Sequence, residues 1–372
     1  MLGKDAISQN AKSSRKKTSK NNQKLKVVDF FCGGGGMSYG MQLAGLKVLA
    51  GIDYEPACKE TYEANIKGAE FIQADVFELK EKELQQQLGL KKNDKDLVLI
   101  GCSPCQFWSI INTDKRKSQK SKNLLVEFQR FVKYFKPGYV VVENVPGVLR
   151  NKEESGLQDF INWLEISKYK VHFDVHNVND YGVAQNRKRF TLVANRVTKE
   201  EIFPVKRTEK RIVVKDVLGV TNGFPRISHG NRDNTDFLHT TSRLGELNQE
   251  RLKYVRKDGG DRFGFADKEH LQLKCFVGRD NSFRDTFGRL WWNKPSPTIT
   301  TKFCNISNGR FVHPDEDRAL SLREGAVLQS FPKDYIFKGT AVDSIARLIG
   351  NAVPPEYAKS IGVAIKNNSN AI

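Results

Sequence analysis

No run in the chain approaches the ~18 consecutive apolar residues that a membrane span requires, which excludes a helical membrane protein. No apolar core follows the N-terminus either, so a secreted protein is not expected. The six cysteines include one C-x-x-C pair, Cys102 and Cys105, but no second C-x-x-C pair to complete a zinc site. Without an export signal the thiols are expected to be reduced. No internal repeat is present. Acidic residues are scarce relative to basic ones: 43 Asp and Glu stand against 61 Lys and Arg, a net charge of +18. This asymmetry argues for a polyanionic partner, because surface cations release counterions from a phosphate backbone.

What remains is an ordinary globular composition, 39% hydrophobic and 28% charged over 372 residues, enough for two domains. Residues 1–24 are rich in Ser, Lys, Asn and Gln and read as a disordered basic tail. From Lys26 short apolar runs alternate with helix-like segments. Strands are predicted at Lys26–Phe31, Val48–Ile52, Phe71–Gln73, Asp96–Gly101, Tyr139–Glu143, Val171–Val178 and Phe190–Ala194. Helices are predicted near Ser38–Ala44, Glu55–Asn65 and Leu124–Phe135. This rhythm describes βαβ units and a mainly parallel sheet buried on both faces. It stops between about 200 and 310, where Gly, Asn, Asp and Arg dominate, and this region reads as a smaller, loop-rich domain. Helix resumes at Ser344–Ile349 and Tyr357–Ile365.

Three motifs carry chemistry. Asp29-Phe30-Phe31-Cys32-Gly33-Gly34-Gly35-Gly36 ends a strand and opens a helix, where glycines let a ligand approach the backbone. Asp53 follows Gly33 by twenty residues at the next strand end, placed to accept bonds from ribose hydroxyls. The pair indicates a nucleotide-like cofactor and leaves NAD, FAD and S-adenosylmethionine open. Gly101-Cys102-Ser103-Pro104-Cys105-Gln106 follows the fourth strand; it reads as a redox dithiol or as a lone nucleophile, Cys105, at the carboxyl edge of the sheet. Glu143-Asn144-Val145 ends the fifth strand. Burial behind Val140-Val141-Val142 would raise the Glu143 pKa and suit it to donate a proton.

Together these motifs resemble the DNA (cytosine-5)-methyltransferases, from about residue 26 to 360 and in that family's motif order. The glycine loop is similar to its cofactor motif, with Phe31 where a ring packs on adenine, and Asp53 and Asp75 resemble its second and third acidic motifs. Asp53 stands where Glu is commoner. Pro104-Cys105-Gln106 resembles the nucleophile motif, and Gln185-Asn186-Arg187-Lys188-Arg189 the Gln-x-Arg-x-Arg element. Arg323-Glu324 through Leu328-Gln329-Ser330-Phe331-Pro332 and Gly350-Asn351-Ala352-Val353-Pro354-Pro355 resemble the ninth and tenth motifs. Trp108 replaces the usual Phe before Ser109.

The resemblance implies a Rossmann-like α/β methyltransferase fold with a smaller, irregular target-recognition domain. The catalytic domain would span 25–199 plus 342–372, and the recognition domain 200–341, with the tenth motif folded back beside the first. It implies S-adenosylmethionine as cofactor, held by Phe31, Gly33, Gly35, Asp53, Tyr54, Asp75, Pro104, Leu124, Asn351 and Val353. It implies catalysis by Cys105 and Glu143, supported by Arg187 and Arg189, on a cytosine extruded from duplex DNA. Gln106, Ser109, Lys115, Arg116 and Lys117 would contact DNA, the last three from a basic lid over 111–123. In the region 200–310, Arg251, Lys253, Arg256, Lys257, Arg262, Arg279, Arg284 and Arg289 would supply cations to phosphate and solvent. The Trp291-Trp292 pair is expected to pack as hinge or core.

A cytoplasmic monomer is expected, with a restriction endonuclease acting independently as a compatible partner. Three other readings compete. A tRNA methyltransferase of the same family would carry Cys-Phe-Thr, which is missing. A silent DNA-binding module would not need Cys105, Glu143 and Arg187 together. A dithiol redox enzyme would use Cys102 and Cys105.

Overall fold

The computed structural model describes residues 25–103, 123–207, 210–278, 282–339 and 341–371. Seven strands form one sheet: β1 (Lys26–Phe30), β2 (Lys47–Asp53), β3 (Glu70–Gln73), β4 (Leu97–Gly101), β5 (Tyr139–Asn144), β6 (Lys170–Asn177) and β7 (Lys188–Asn195). Their order is β3-β2-β1-β4-β5-β7-β6. The first five run parallel. β7 is antiparallel to both neighbours, so β6 runs with the parallel set. The strand order reverses between β1 and β4, the switch point at whose carboxyl ends such sheets bind ligands.

The continuous apolar strands are explained by two covered faces. Val28, Phe30, Leu97, Leu99, Val140 and Val142 point into one core, and Val27, Val98, Ile100, Tyr139 and Val141 into the other. The helices are α1 (Gly36–Leu43), α2 (Lys59–Asn65), α3 (Glu81–Leu88), α4 (Leu124–Phe135), α5 (Gly147–Arg150), α6 (Leu157–Ile166), α7 (Val214–Val217), α8 (Glu246–Tyr254), α9 (Leu322–Leu328), α10 (Val342–Asn351) and α11 (Pro355–Asn370). α4 and α6 close the first face; α1, α2 and α11 close the second. Small residues let α11 lie close on α1. A Cβ on Gly40 would sit 2.4 Å from the Ala358 Cβ and 2.5 Å from the Pro355 carbonyl oxygen.

Among the described residues between β7 and α10 there is no strand of a sheet, only isolated bridges. Two apolar clusters hold this region. One gathers Leu290, Ile299, Phe303, Leu328, Phe331 and Tyr335, together with Ile345, Ala346 and Ile349 of α10. The other gathers Leu252, Phe265, Phe287, Val312 and Ala319. α10 thus lies at a seam: its apolar face joins the loop-rich region, while the next helix belongs to the sheet.

Chain without a ladder must satisfy its carbonyls otherwise, and here arginines do so. Arg289 is fully buried and donates to the carbonyls of Leu252, Val255, His313 and Glu316. Arg251 donates to Leu271 O and Arg262 to Ser282 O. Three of the cations expected to face phosphate or solvent are therefore internal ties. Lys253, Arg256, Lys257 and Arg284 are exposed, with Lys257 paired to Asp317; Arg279 lies outside the described residues. Trp292 donates from Nε1 to Asp315 at 3.1 Å, and Arg310 lies 3.9 Å above the Trp291 ring, packing roles as expected.

A candidate active site at the carboxyl edge of the sheet

The ends of β1, β2, β4 and β5 meet at the switch point. β1 leaves the sheet through Phe31, whose φ of 62° is unusual for a residue with a side chain. Its ring packs on the core around α4. Gly33 follows, also with positive φ, and a Cβ there would meet nothing within 4 Å. Its backbone N–H donates to Asp53 Oδ2 at 2.9 Å, and Glu55 N–H donates to Asp53 Oδ1 at 3.0 Å. Each carboxylate oxygen keeps a further lone pair for a hydroxyl. Asp75 is half-buried and accepts from the Phe77 N–H at 3.0 Å. Tyr54 is 67% exposed, beside Asp53. Leu124 is half-buried at the start of α4.

Beneath the glycines lies a group that the sequence reading quoted without a role. Asp29 is fully buried, accepts from Ser38 Oγ at 2.7 Å, and its Oδ1 has no partner among the described residues. Burial raises its pKa to about 7, against the pull of the Ser38 hydrogen bond.

The tenth motif does close on this loop. A Cβ on Gly36 would lie 2.3 Å from the Val353 carbonyl oxygen, so only glycine permits the approach. Val353 is buried and Asn351 exposed. Tyr335 donates its hydroxyl to Gly34 O at 2.5 Å. Sequence reasoning missed Tyr335, which lies 301 positions from its partner in a stretch without periodic pattern.

At the end of β5, Glu143 is 7% exposed and forms an ion pair with Arg189 Nε at 3.0 Å. Burial pushes its carboxyl pKa up; Arg189 first, then Arg187, pull it down, and the net shift is upward. The register explains the pairing: β7 runs antiparallel to β5 and sets Thr191 opposite Glu143, so Arg189 projects from the same sheet edge. Asn144 donates from Nδ2 to Ser103 Oγ at 3.1 Å and to Ser103 O at 3.3 Å. It thereby ties the end of β5 to the segment that leaves β4.

The two arginines differ. Arg187 is 3% exposed and donates to the carbonyls of Ile299 (2.9 Å), Gly350 (3.0 Å) and Ala352 (3.3 Å). Its guanidinium joins the sheet, the loop-rich region and the tenth motif. Gln185 assists, accepting from Ile299 N–H at 2.9 Å and donating to Gln329 Oε1 at 3.3 Å. Arg189 makes the 3.0 Å ion pair with Glu143. Cys102 packs against the second core, where burial pushes its thiol well up, which does not suit a reactive dithiol. Pro104, Cys105, Gln106, Trp108, Ser109, Lys115, Arg116 and Lys117 lie outside the described residues.

A family model for C-5 cytosine-specific DNA methylases matches residues 25–367. The chain belongs to that family. It is 37% identical over 348 residues to the Type II methylase M.HgiDII of Herpetosiphon aurantiacus, covering 91% of this chain and 94% of that one. It is 30% identical over 353 residues to the Type II methyltransferase M1.HphI of Haemophilus parahaemolyticus, covering 93% and 88%. Among solved structures, an E. coli prophage protein solved as a DNA modification methyltransferase superposes with a TM-score of 0.69 at 23% identity, covering 93% of this chain and 99% of that one. The Dnmt2 methyltransferase of S. pombe superposes at 0.59 with 17% identity, covering 93% and 99%. These last two likenesses are of fold.

The protein is thus a DNA (cytosine-5)-methyltransferase, and methylases of this family take their methyl group from S-adenosylmethionine. The residues present fit such a group. Gly33 faces open space, Asp53 offers acceptors at a strand end, and Asp29 Oδ1 is a buried acceptor below them. Among the described residues no helix is long and apolar enough to cross a membrane.

Proposed function

We propose that the chain methylates C5 of cytosine within a specific sequence of duplex DNA, through a covalent Cys105 adduct on an extruded base. The observation that carries this reading is the strand end of β5. Glu143 sits there buried against Arg189, while Asn144 holds Ser103. Cys105 comes two residues after Ser103, at most about 7.6 Å of chain. A thiol and a proton donor can therefore converge on one pyrimidine ring.

The chemistry follows from what cytosine lacks. Its C5 is a poor nucleophile. The Cys105 thiolate adds to C6, Glu143 gives its proton to N3, and the electron pair moves to C5. S-adenosylmethionine supplies an activated methyl group, for which Phe31, Gly33, Gly35, Asp53, Tyr54, Asp75, Pro104, Leu124, Asn351 and Val353 form the binding set. A base then takes the C5 proton, the C5–C6 double bond re-forms, the Cys105–C6 bond breaks to release the thiolate, and N3 returns its proton to Glu143. The raised Glu143 pKa favours its protonated form, and Arg189 pairs with the carboxyl at 3.0 Å. Arg187 acts as a positioning residue, holding the tenth motif in place.

In this reading residues 25–199 and 342–372 are the catalytic domain, residues 200–341 read the DNA, and the duplex lies between them. Gln106, Ser109 and the basic residues Lys115, Arg116 and Lys117 would contact it. The Type II names of the relatives favour a modification enzyme of a restriction–modification system, monomeric and cytoplasmic, with any cognate endonuclease acting separately.

The test uses duplex DNA carrying 5-fluorocytosine at a target mapped by bisulfite sequencing. Fluorine cannot leave as a proton, so an adduct on C6 persists. Wild-type protein should form a denaturation-resistant DNA complex in the presence of S-adenosylmethionine, and Cys105→Ser should form none. Equal adduct in Cys105→Ser rejects the nucleophile. Methyl label appearing on tRNA and never on duplex DNA rejects the substrate.

A further inference from the structure

A second basic site lies outside the residues that the reaction requires. Lys206, Arg207, Lys210 and Arg211, on the segment leaving β7, line a cavity of about 330 Å³ whose floor is Asn179, Asp180 and Gly182. All four cations are exposed. Among the described residues Asp180 is the one carboxylate lining the cavity, and it is held by Arg211, which donates from Nε and Nη2 at 3.0 and 2.7 Å. Glu209 lies outside the described residues. The backbone is pinned on both sides: Val205 N–H donates to Ser360 O at 3.3 Å and Arg207 N–H to Asp180 O at 3.0 Å, and past Arg211 the Ile212 carbonyl accepts from Asn179 Nδ2 at 3.0 Å. Main-chain bonds thus hold these cations at one place.

That place is informative. β6 runs with the parallel strands, so its last residue, Asn177, stands at the same edge of the sheet as Glu143. The cavity floor begins two residues later. β6 is separated from β5 only by β7, two strand spacings or roughly 10 Å. That is about three base pairs along a duplex, at 3.4 Å per phosphate of one strand.

We propose that this site grips the DNA phosphate backbone beside the target, outside the cleft that holds the extruded base. The inference rests on the reading that duplex DNA lies along the carboxyl edge. The cations extend the contact surface laterally to the edge strand, and they bind without regard to sequence. Nothing in the methyl-transfer chemistry uses them.

The test is a salt titration of duplex binding with wild-type full-length chain and Lys206→Gln/Lys210→Gln. On a duplex reaching about 10 base pairs beyond the mapped target, the log–log salt slope should become shallower by about 2, near one unit per lost phosphate contact. On a duplex confined to the target the two proteins should have the same slope. KM for the long duplex should rise while kcat stays the same. An unchanged slope on the long duplex overturns the site, and so does an equal loss on both duplexes, which would put the cations inside the cleft. If the wild-type chain transfers no methyl group, the functional reading falls separately. The same titration on mixed-sequence duplex then still decides whether Lys206 and Lys210 bind phosphate.

Discussion

Asp29 shows how a single buried acid shapes both stability and site. In the fold it keeps its proton up to about pH 7, whereas its ordinary value is 3.8. The native state therefore binds one proton more than the unfolded chain between these limits. The stabilisation is complete below about pH 4 and is lost as pH rises towards about 7. Three pKa units correspond to about 4 kcal/mol at most. Asp29→Asn keeps an acceptor for Ser38 and cannot titrate, so denaturant unfolding at about pH 5 and about pH 8 should give closer stabilities for the variant than for wild type. An unaltered pH slope would assign the dependence to other groups. Glu143 has the opposite kind of neighbour. Arg189 pulls its pKa down against burial, so Arg189→Ala should raise it further. The proposed mechanism uses the protonated acid, so the limb of the pH–rate profile on which activity falls with rising pH should move to higher pH. A limb that stays in place would mean that Arg189 does not tune this carboxyl.

At the scale of elements, the sheet was legible from the sequence and the connections less so. All seven strands were anticipated within a residue or two, because short branched runs buried on two faces have few other interpretations. The antiparallel direction of β7 was not visible, since a strand reads the same in either sense. Helices α3 and α8 carry too many polar residues, and α9 is too short, for their pattern to stand out, whereas α6, with Leu157, Phe160, Ile161 and Leu164 at helical spacing, was readable and was missed. α9 is fixed by a device visible only in space. Ser321 caps Glu324, and Arg318 forks onto the Glu324 carboxylate at 2.7 and 2.8 Å, entirely buried. Within the site, the residues at strand ends were readable from spacing. Arg187 was not: a guanidinium turned onto carbonyls looks in sequence like a cation awaiting phosphate. The contact of α1 with α11 gives a sharp test of packing. Gly40→Ala forces a Cβ against Ala358 and the Pro355 carbonyl, which should cost about 1–3 kcal/mol in denaturant unfolding. Because α11 begins just after Val353, KM for S-adenosylmethionine should rise with it. A variant as stable as wild type would show that the two helices can separate without loss.

For the whole molecule, the decisive link is the guanidinium of Arg187. It bonds residue 299 of the loop-rich region and residues 350 and 352 of the tenth motif from one strand end of the sheet. A lysine side chain at this position would carry the same charge without the planar fork and could not meet all three carbonyls together. Arg187→Lys should therefore cost about 3 kcal/mol, read by denaturant unfolding, and weaken cofactor binding more than DNA binding. If affinity for S-adenosylmethionine is unchanged, the clamp does not support the tenth motif.

The glycine loop is enclosed by Tyr335 and Val353, residues synthesised some three hundred positions after it. During translation, then, a ribosome must add some three hundred further residues before that loop acquires its walls. A nascent chain halted between Glu143 and Tyr335 would carry Cys105 and Glu143 yet lack the residues that enclose the glycine loop. Fragments divided in the loop-rich stretch should regain activity only when both halves are supplied together.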